Sequence, residues 1–243
     1  MNAEKSFSGV AIRCGLVSGL ILVGGMLAGL LAGFAVNGLP MHVPEQTKNL
    51  LSALPVLAII TAAGAGWGLA MARLTGVPES RRMTLAGALS FSPSILAAGI
   101  ALSLLEVAIV ERGGGSDLPV HQVFSLLFVP ATFFVAGIGG LAMGLAARDW
   151  ALTFKLILAS GFAGGLAFLA VNLVMDVLGW RVGAPGAAER ATMLTVTMAG
   201  SLAAALAGGA VIGVLLGRYA KQAAHAPAQP VPLEVEAALV TEG

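Results

Sequence analysis

Charge is scarce in this chain. Only 10% of its 243 residues are Asp, Glu, Lys or Arg, against about 25% in a typical water-soluble domain. A surface so thinly charged cannot be wetted, and this excludes an ordinary soluble fold. A net charge of +1 gives no attraction to nucleic acid. The single cysteine, Cys14, excludes an internal disulfide and a cysteine-based metal site. It also stands at the start of the first apolar run rather than after it, so it is no lipoprotein attachment point. Three histidines, placed near the ends of apolar runs, are too few for a multi-haem helix bundle.

Motifs of catalysis are missing as well. There is no H-E-x-x-H, P-loop, Rossmann glycine fingerprint or G-x-S-x-G. The outer-face residues His42, His121, Glu45, Asp117 and Glu189 have no ligand spacing on a common helix. The expectation is a protein that is not an enzyme, with no catalytic residue, no metal and no cofactor.

What the chain does have is apolar length. Hydrophobic residues make up 58% of it, gathered into six runs over about 14–36, 50–72, 85–108, 122–147, 152–176 and 191–217. Runs of about 20 apolar residues span a bilayer as helices. These are too long for barrel strands and lack strict alternation. With no water in the hydrocarbon, each backbone N–H must be paired within its own segment, so helices follow. The expected fold is all-α, a polytopic bundle of six transmembrane helices over residues 1–221. A Pro-containing tail, 222–243, is expected to be a disordered cytoplasmic segment.

Basic residues set the orientation. Lys5, Arg13, Arg73, Arg81, Arg82, Arg148, Lys155, Arg218 and Lys221 fall on one side of the six runs. Only Lys48, Arg112, Arg181 and Arg190 fall on the other. The excess predicts both termini in the cytoplasm, in a bacterial-type inner (plasma) membrane. The first run is longer than a signal-peptide core and is read as retained. Trp150, Tyr219 and Trp180 suit interfacial anchors.

Three phrases recur at the ends of the even-numbered runs. They are GLAMAR at 68–73, GLAAR at 144–148 and GVLLGR at 213–218. AGFAVN at 32–37 and AFLAVN at 167–172 match likewise. They are consistent with three repeated helical hairpins in parallel relation. Chance similarity among helices rich in Gly, Ala, Leu and Val explains them too.

Small residues recur every fourth position: Gly25, Gly29 and Gly33 in the first run, Gly64, Gly68 and Ala72 in the second. Ala136, Gly140 and Gly144 follow in the fourth run, then Ala205, Gly209, Gly213 and Gly217 in the sixth. Residues four apart share a helix face, and a missing side chain there admits a neighbouring backbone. These stripes are read as helix-packing seams, in a tight bundle able to form a homo-oligomer.

Polar groups at membrane depth are the candidates for a transport path. Ser90 and Ser94 flank Pro93 in LSFSPS, where the proline frees a backbone carbonyl. Glu106 is costly as a carboxylate in the membrane unless it faces a cavity or a cation. Asn172 and Asp176 continue a stripe begun by Ser160, Gly164 and Phe168. Pro55 and Pro130 add points at which other helices can bend.

Two function classes remain. One is a small permease or channel-like transporter, or the membrane component of a larger one, for an unspecified solute or ion. The other is a structural or assembly subunit of a membrane protein complex, with the glycine stripes as interfaces. In both, the bilayer is the first partner and no nucleic acid is bound.

Overall fold

The computed structural model of the chain describes residues 2–37, 45–91, 120–179 and 188–225. Six helices run through these residues, and no strand occurs among them. They are α1 (Asn2–Asn37), α2 (Glu45–Thr75), α3 (80–91), α4 (Val120–Ala147), α5 (Trp150–Val177) and α6 (Ala188–His225). Five segments are long and apolar enough to cross a membrane: Ser8–Gly29, Leu54–Thr75, Leu127–Ala147, Trp150–Val177 and Thr195–His225. Of the third apolar run, only 85–91 lies among the described residues.

The helices overrun the apolar runs at several ends. The polar opening of α1 is helical from Asn2, and α6 continues through Gln222 to His225. Hydropathy marks the stretch suited to lipid, whereas backbone hydrogen bonding carries on into polar sequence. Residues 226–243 of the expected tail lie outside the described residues. α2 and α4 run on across Pro55 and Pro130.

Two turns join neighbours closely. α2 ends at Gly76, whose φ of 75° is open to glycine at little cost, and its N–H donates to the Ala72 carbonyl at 3.0 Å. Pro78 follows, where the chain cannot continue as helix. α4 ends at Arg148, the one described non-glycine residue with positive φ, at 56°. Asp149 then caps α5, its Oδ1 accepting from the Leu152 N–H at 2.9 Å. At the same end, the Tyr219 hydroxyl donates to the Ala147 carbonyl at 3.0 Å and ties α6 to the end of α4. Tyr219, expected as an interfacial anchor, thus also ties two helices together.

The packing order follows from which helices touch. α6 packs along α1 and α5, and also meets α2 and α4. α1 packs along α2, and α4 along α5. Large side chains point outward: Leu20, Leu31, Leu89, Phe134, Phe154 and Leu166 are each more than half exposed. The interior is built instead from Cys14, Met71, Met83, Met143, Leu156 and Leu216, with small residues between them. This inverts the pattern of a soluble protein. Lipid offers no drive to bury leucine, so close contact and interhelical hydrogen bonds hold the helices.

Glycine makes those contacts close. A Cβ on Gly68 would collide with the Met83 carbonyl, and one on Gly64 with that of Gly87, so α2 and α3 meet backbone to backbone. On α4, Gly140 faces the Leu156 carbonyl at 2.5 Å from its notional Cβ, and Gly144 faces Thr153. On α6, Gly209 lies against Ser18, and Gly213 against Cys14. The glycine opening each recurring phrase, at 68, 144 and 213, is thus a point of tight contact. Its neighbour is α3, α5 and α1 in turn.

The first stripe behaves differently. Gly25 makes only an ordinary contact, its notional Cβ 3.7 Å from that of Ala63. Gly29 would meet nothing within 4 Å among the described residues. The surroundings of Gly33 fall outside them. The tight face of α1 lies ten residues earlier, where a Cβ on Gly15 would sit 2.7 Å from the Leu206 carbonyl oxygen and one on Gly19 2.9 Å from Leu206 Cδ2.

Candidate functional site: a cavity among five helices

Serine and threonine inside these helices first satisfy their own turn. Ser18 Oγ donates to the Cys14 carbonyl at 2.9 Å, Thr132 Oγ1 to Phe128 at 2.7 Å, and Ser160 Oγ to Leu156 at 2.5 Å. Each bond returns the hydroxyl proton to the carbonyl four residues back. The oxygen lone pairs stay open to a second partner.

At Ser18 that second partner comes from another helix. The Trp67 indole N–H of α2 donates to Ser18 Oγ at 2.8 Å. Trp67 is 4% exposed, and a buried indole N–H needs such an acceptor. Its ring lies against Phe91 of α3, with centroids 5.5 Å apart. Across from it α4 offers Gly139, whose notional Cβ would sit 3.5 Å from the tip of the indole. Trp67 therefore touches α1, α3 and α4 at one level.

Around it opens a cavity of about 290 Å³. Its polar lining comes from Ser18 (α1), Trp67 (α2), Ser90 (α3), Thr132 (α4) and Ser201 (α6). Leu22, Phe91, Phe128, Val135 and Ile212 supply apolar wall. No Asp, Glu, Lys, Arg or His is among its described lining. The small residues Gly139, Ala204, Ala205 and Gly208 leave the space that larger side chains would fill.

Of the five path candidates read from sequence, Ser90 lies on this cavity, with its hydroxyl donating to the Gly87 carbonyl at 3.2 Å. Asn172 is buried, as an amide in hydrocarbon must be, but its Nδ2 donates to the Phe168 carbonyl of its own helix at 3.0 Å. Asn172 and the half-buried Asp176 are on α5, which contributes nothing to the described lining. The α5 stripe instead packs. Ser160 Oγ also reaches the Ala136 carbonyl of α4 at 2.9 Å, Gly164 faces Ala136, and Phe168 stacks on Phe128 with ring centres 6.0 Å apart. Glu106 and Ser94 lie outside the described residues. Among those residues no group of three or more His, Cys, Asp or Glu is placed to hold a metal.

Sequence reasoning passed over Ser18, Trp67, Thr132 and Ser201. Single hydroxyls in an apolar run carry little signal of their own. One usable signal was there: Cys14, Gly15, Ser18 and Gly19 are a small-residue stripe once cysteine and serine count as small.

Six helices, five of them suited to cross a bilayer and apolar on their outer faces, fit an integral membrane protein of the multi-pass helical class. The chain matches no protein-family model, no curated protein and no solved structure. Function has to be argued from the cavity itself.

Proposed function

We propose that this protein is a small permease-like membrane protein, built of three helical hairpins, whose central cavity is a compartment for an uncharged solute. The observation that carries the reading is the cavity lined from five helices, with hydroxyls on its wall and no ionisable side chain among its described lining. An ion entering such a space would lose its hydration without a counter-charge, at a cost of several kcal/mol or more. A neutral molecule loses only hydrogen bonds, which hydroxyl groups can replace.

The three-hairpin reading draws support from Gly68, Gly144 and Gly213. Each opens the recurring phrase and lies in close contact with an odd-numbered helix. Transporters built from repeats often hold their solute where the repeats meet. The basic end of the bundle, with exposed Arg73, Arg81, Arg82, Arg148 and Arg218, is the cytoplasmic one in this reading. The reading as an assembly subunit loses its main support. Most of the glycines that would have formed an external interface are engaged inside the chain.

Proteoliposome flux tests the proposal. In stopped-flow light scattering, vesicles containing the protein should re-swell in glycerol at least several-fold faster than protein-free vesicles. Ala205→Phe, which fills the cavity, should return the rate to background, and no K⁺ current should be seen. If glycerol, urea and erythritol all permeate at the protein-free rate, the permease reading fails.

A further inference from the structure

The cavity's lining carries both hydroxyls and aromatic rings, and that mixture describes what it can hold. Ser18 Oγ has its proton engaged by Cys14 and one lone pair engaged by Trp67, leaving one lone pair. Thr132 Oγ1 has its proton engaged by Phe128, so it faces a guest as an acceptor. Ser201 adds a further hydroxyl to the lining, a group that can donate as well as accept. The same lining carries aromatic rings, Phe91 beside Trp67 and Phe128 stacked on Phe168.

We infer that the cavity is a binding site for a small uncharged molecule with an apolar body and a hydroxyl, which donates to Ser18 or Thr132 and accepts from Ser201. This rests on the reading of the cavity as a solute compartment and names the class of solute. Size limits it further. An apolar cavity of about 150 Å³ holds benzene, so 290 Å³ has room for a guest of about twelve heavy atoms. A wall of this kind rejects inorganic ions, since no described lining residue carries charge. It also favours an alcohol over the matching hydrocarbon, because only the alcohol uses the acceptors on Ser18 and Thr132.

Trp67 is a built-in reporter. In a Trp150→Phe, Trp180→Phe background it is the sole tryptophan, and its ring lines the site. The probe is 2,2,2-tribromoethanol, a heavy-atom quencher that is neutral, bulky and hydroxylated. Bromoform is the hydroxyl-free comparison and iodide the charged one, all with the full chain in detergent micelles. The expected result is saturable quenching by tribromoethanol, about tenfold tighter than by bromoform, and none by iodide. Ala205→Phe should abolish saturation, and Thr132→Val combined with Ser201→Ala should remove most of the preference for the alcohol. Ala131→Leu serves as a second filling variant should Ala205→Phe fail to fold.

Quenching that rises linearly with probe, alike in parent and filled variants, means partition into the micelle and overturns the site. Equal binding of bromoform and tribromoethanol overturns the role of the lining hydroxyls. Saturable binding without vesicle flux would leave the site standing while the permease reading fell. Flux without saturable binding would do the reverse.

Discussion

Two stretches of α1 have nearly the same composition and opposite surroundings. In the first, Cys14, Gly15, Ser18 and Gly19 are all buried against α6, and the backbones meet at Gly15 and the Leu206 carbonyl. In the second, Gly24 and Gly29 have nothing within 4 Å among the described residues, and Gly25 makes only an ordinary contact. The second stretch has the more regular glycine spacing. Spacing thus records that a helix can be approached closely, while the partner helix decides whether it is. α6 supplies that partner along the earlier stretch, where Gly209 and Gly213 answer Ser18 and Cys14.

The contrast can be broken by substitution, and the effects should fall in a definite order. Gly15→Val should do most harm, because its Cβ would press on the backbone oxygen of Leu206, which cannot turn aside. Overpacking of this kind costs about 1–3 kcal/mol, read as a clear drop in the thermal midpoint in detergent. Ser18→Ala comes next. It leaves the Trp67 indole N–H without its acceptor, and hydrogen bonds between membrane helices are worth about 0.6 kcal/mol on average, up to about 1.7. Its signature is a shift in Trp67 emission alongside the smaller loss of stability. Gly29→Val should do least, within about 0.5 kcal/mol of the parent. If Gly29→Val proved as damaging as Gly15→Val, the assignment of the tight face would be wrong.

Class and helices were legible in the sequence because lipid imposes them through length and apolarity alone. The glycines at 64, 68, 140, 144, 209 and 213 were legible as close-contact positions for the same reason: a four-residue stripe leaves few other uses for a missing side chain. Their partners were not. Nothing local tells that Gly144 meets Thr153 nine residues on, while Gly213 meets Cys14 at the far end of the chain. The cavity was less legible still. Ser90 drew notice for its neighbouring proline, but Ser18, Thr132 and Ser201 are single hydroxyls on three helices, and only packing gathers them. Asn172 was the converse case. Its polarity suggested a path, and in the structure its Nδ2 donates to the Phe168 carbonyl of its own helix.

The account depends most on α6 closing against α1, since that contact joins the two ends of the chain and brings Ser18 to the cavity. A cysteine pair at positions 10 and 217 tests it directly. The notional Cβ of Gly217 lies 3.8 Å from Val10 Cγ1, the position a cysteine sulfur would take, so side chains at the two positions meet. In a Cys14→Ser background, Val10→Cys with Gly217→Cys should oxidise within the monomer. Both thiols would then be protected from maleimide-polyethylene glycol until reduced, whereas Gly29→Cys with Gly217→Cys should stay open. Full labelling of the 10/217 pair under oxidising conditions, in folded protein, would contradict the arrangement of α1 on α6 and the cavity built on it.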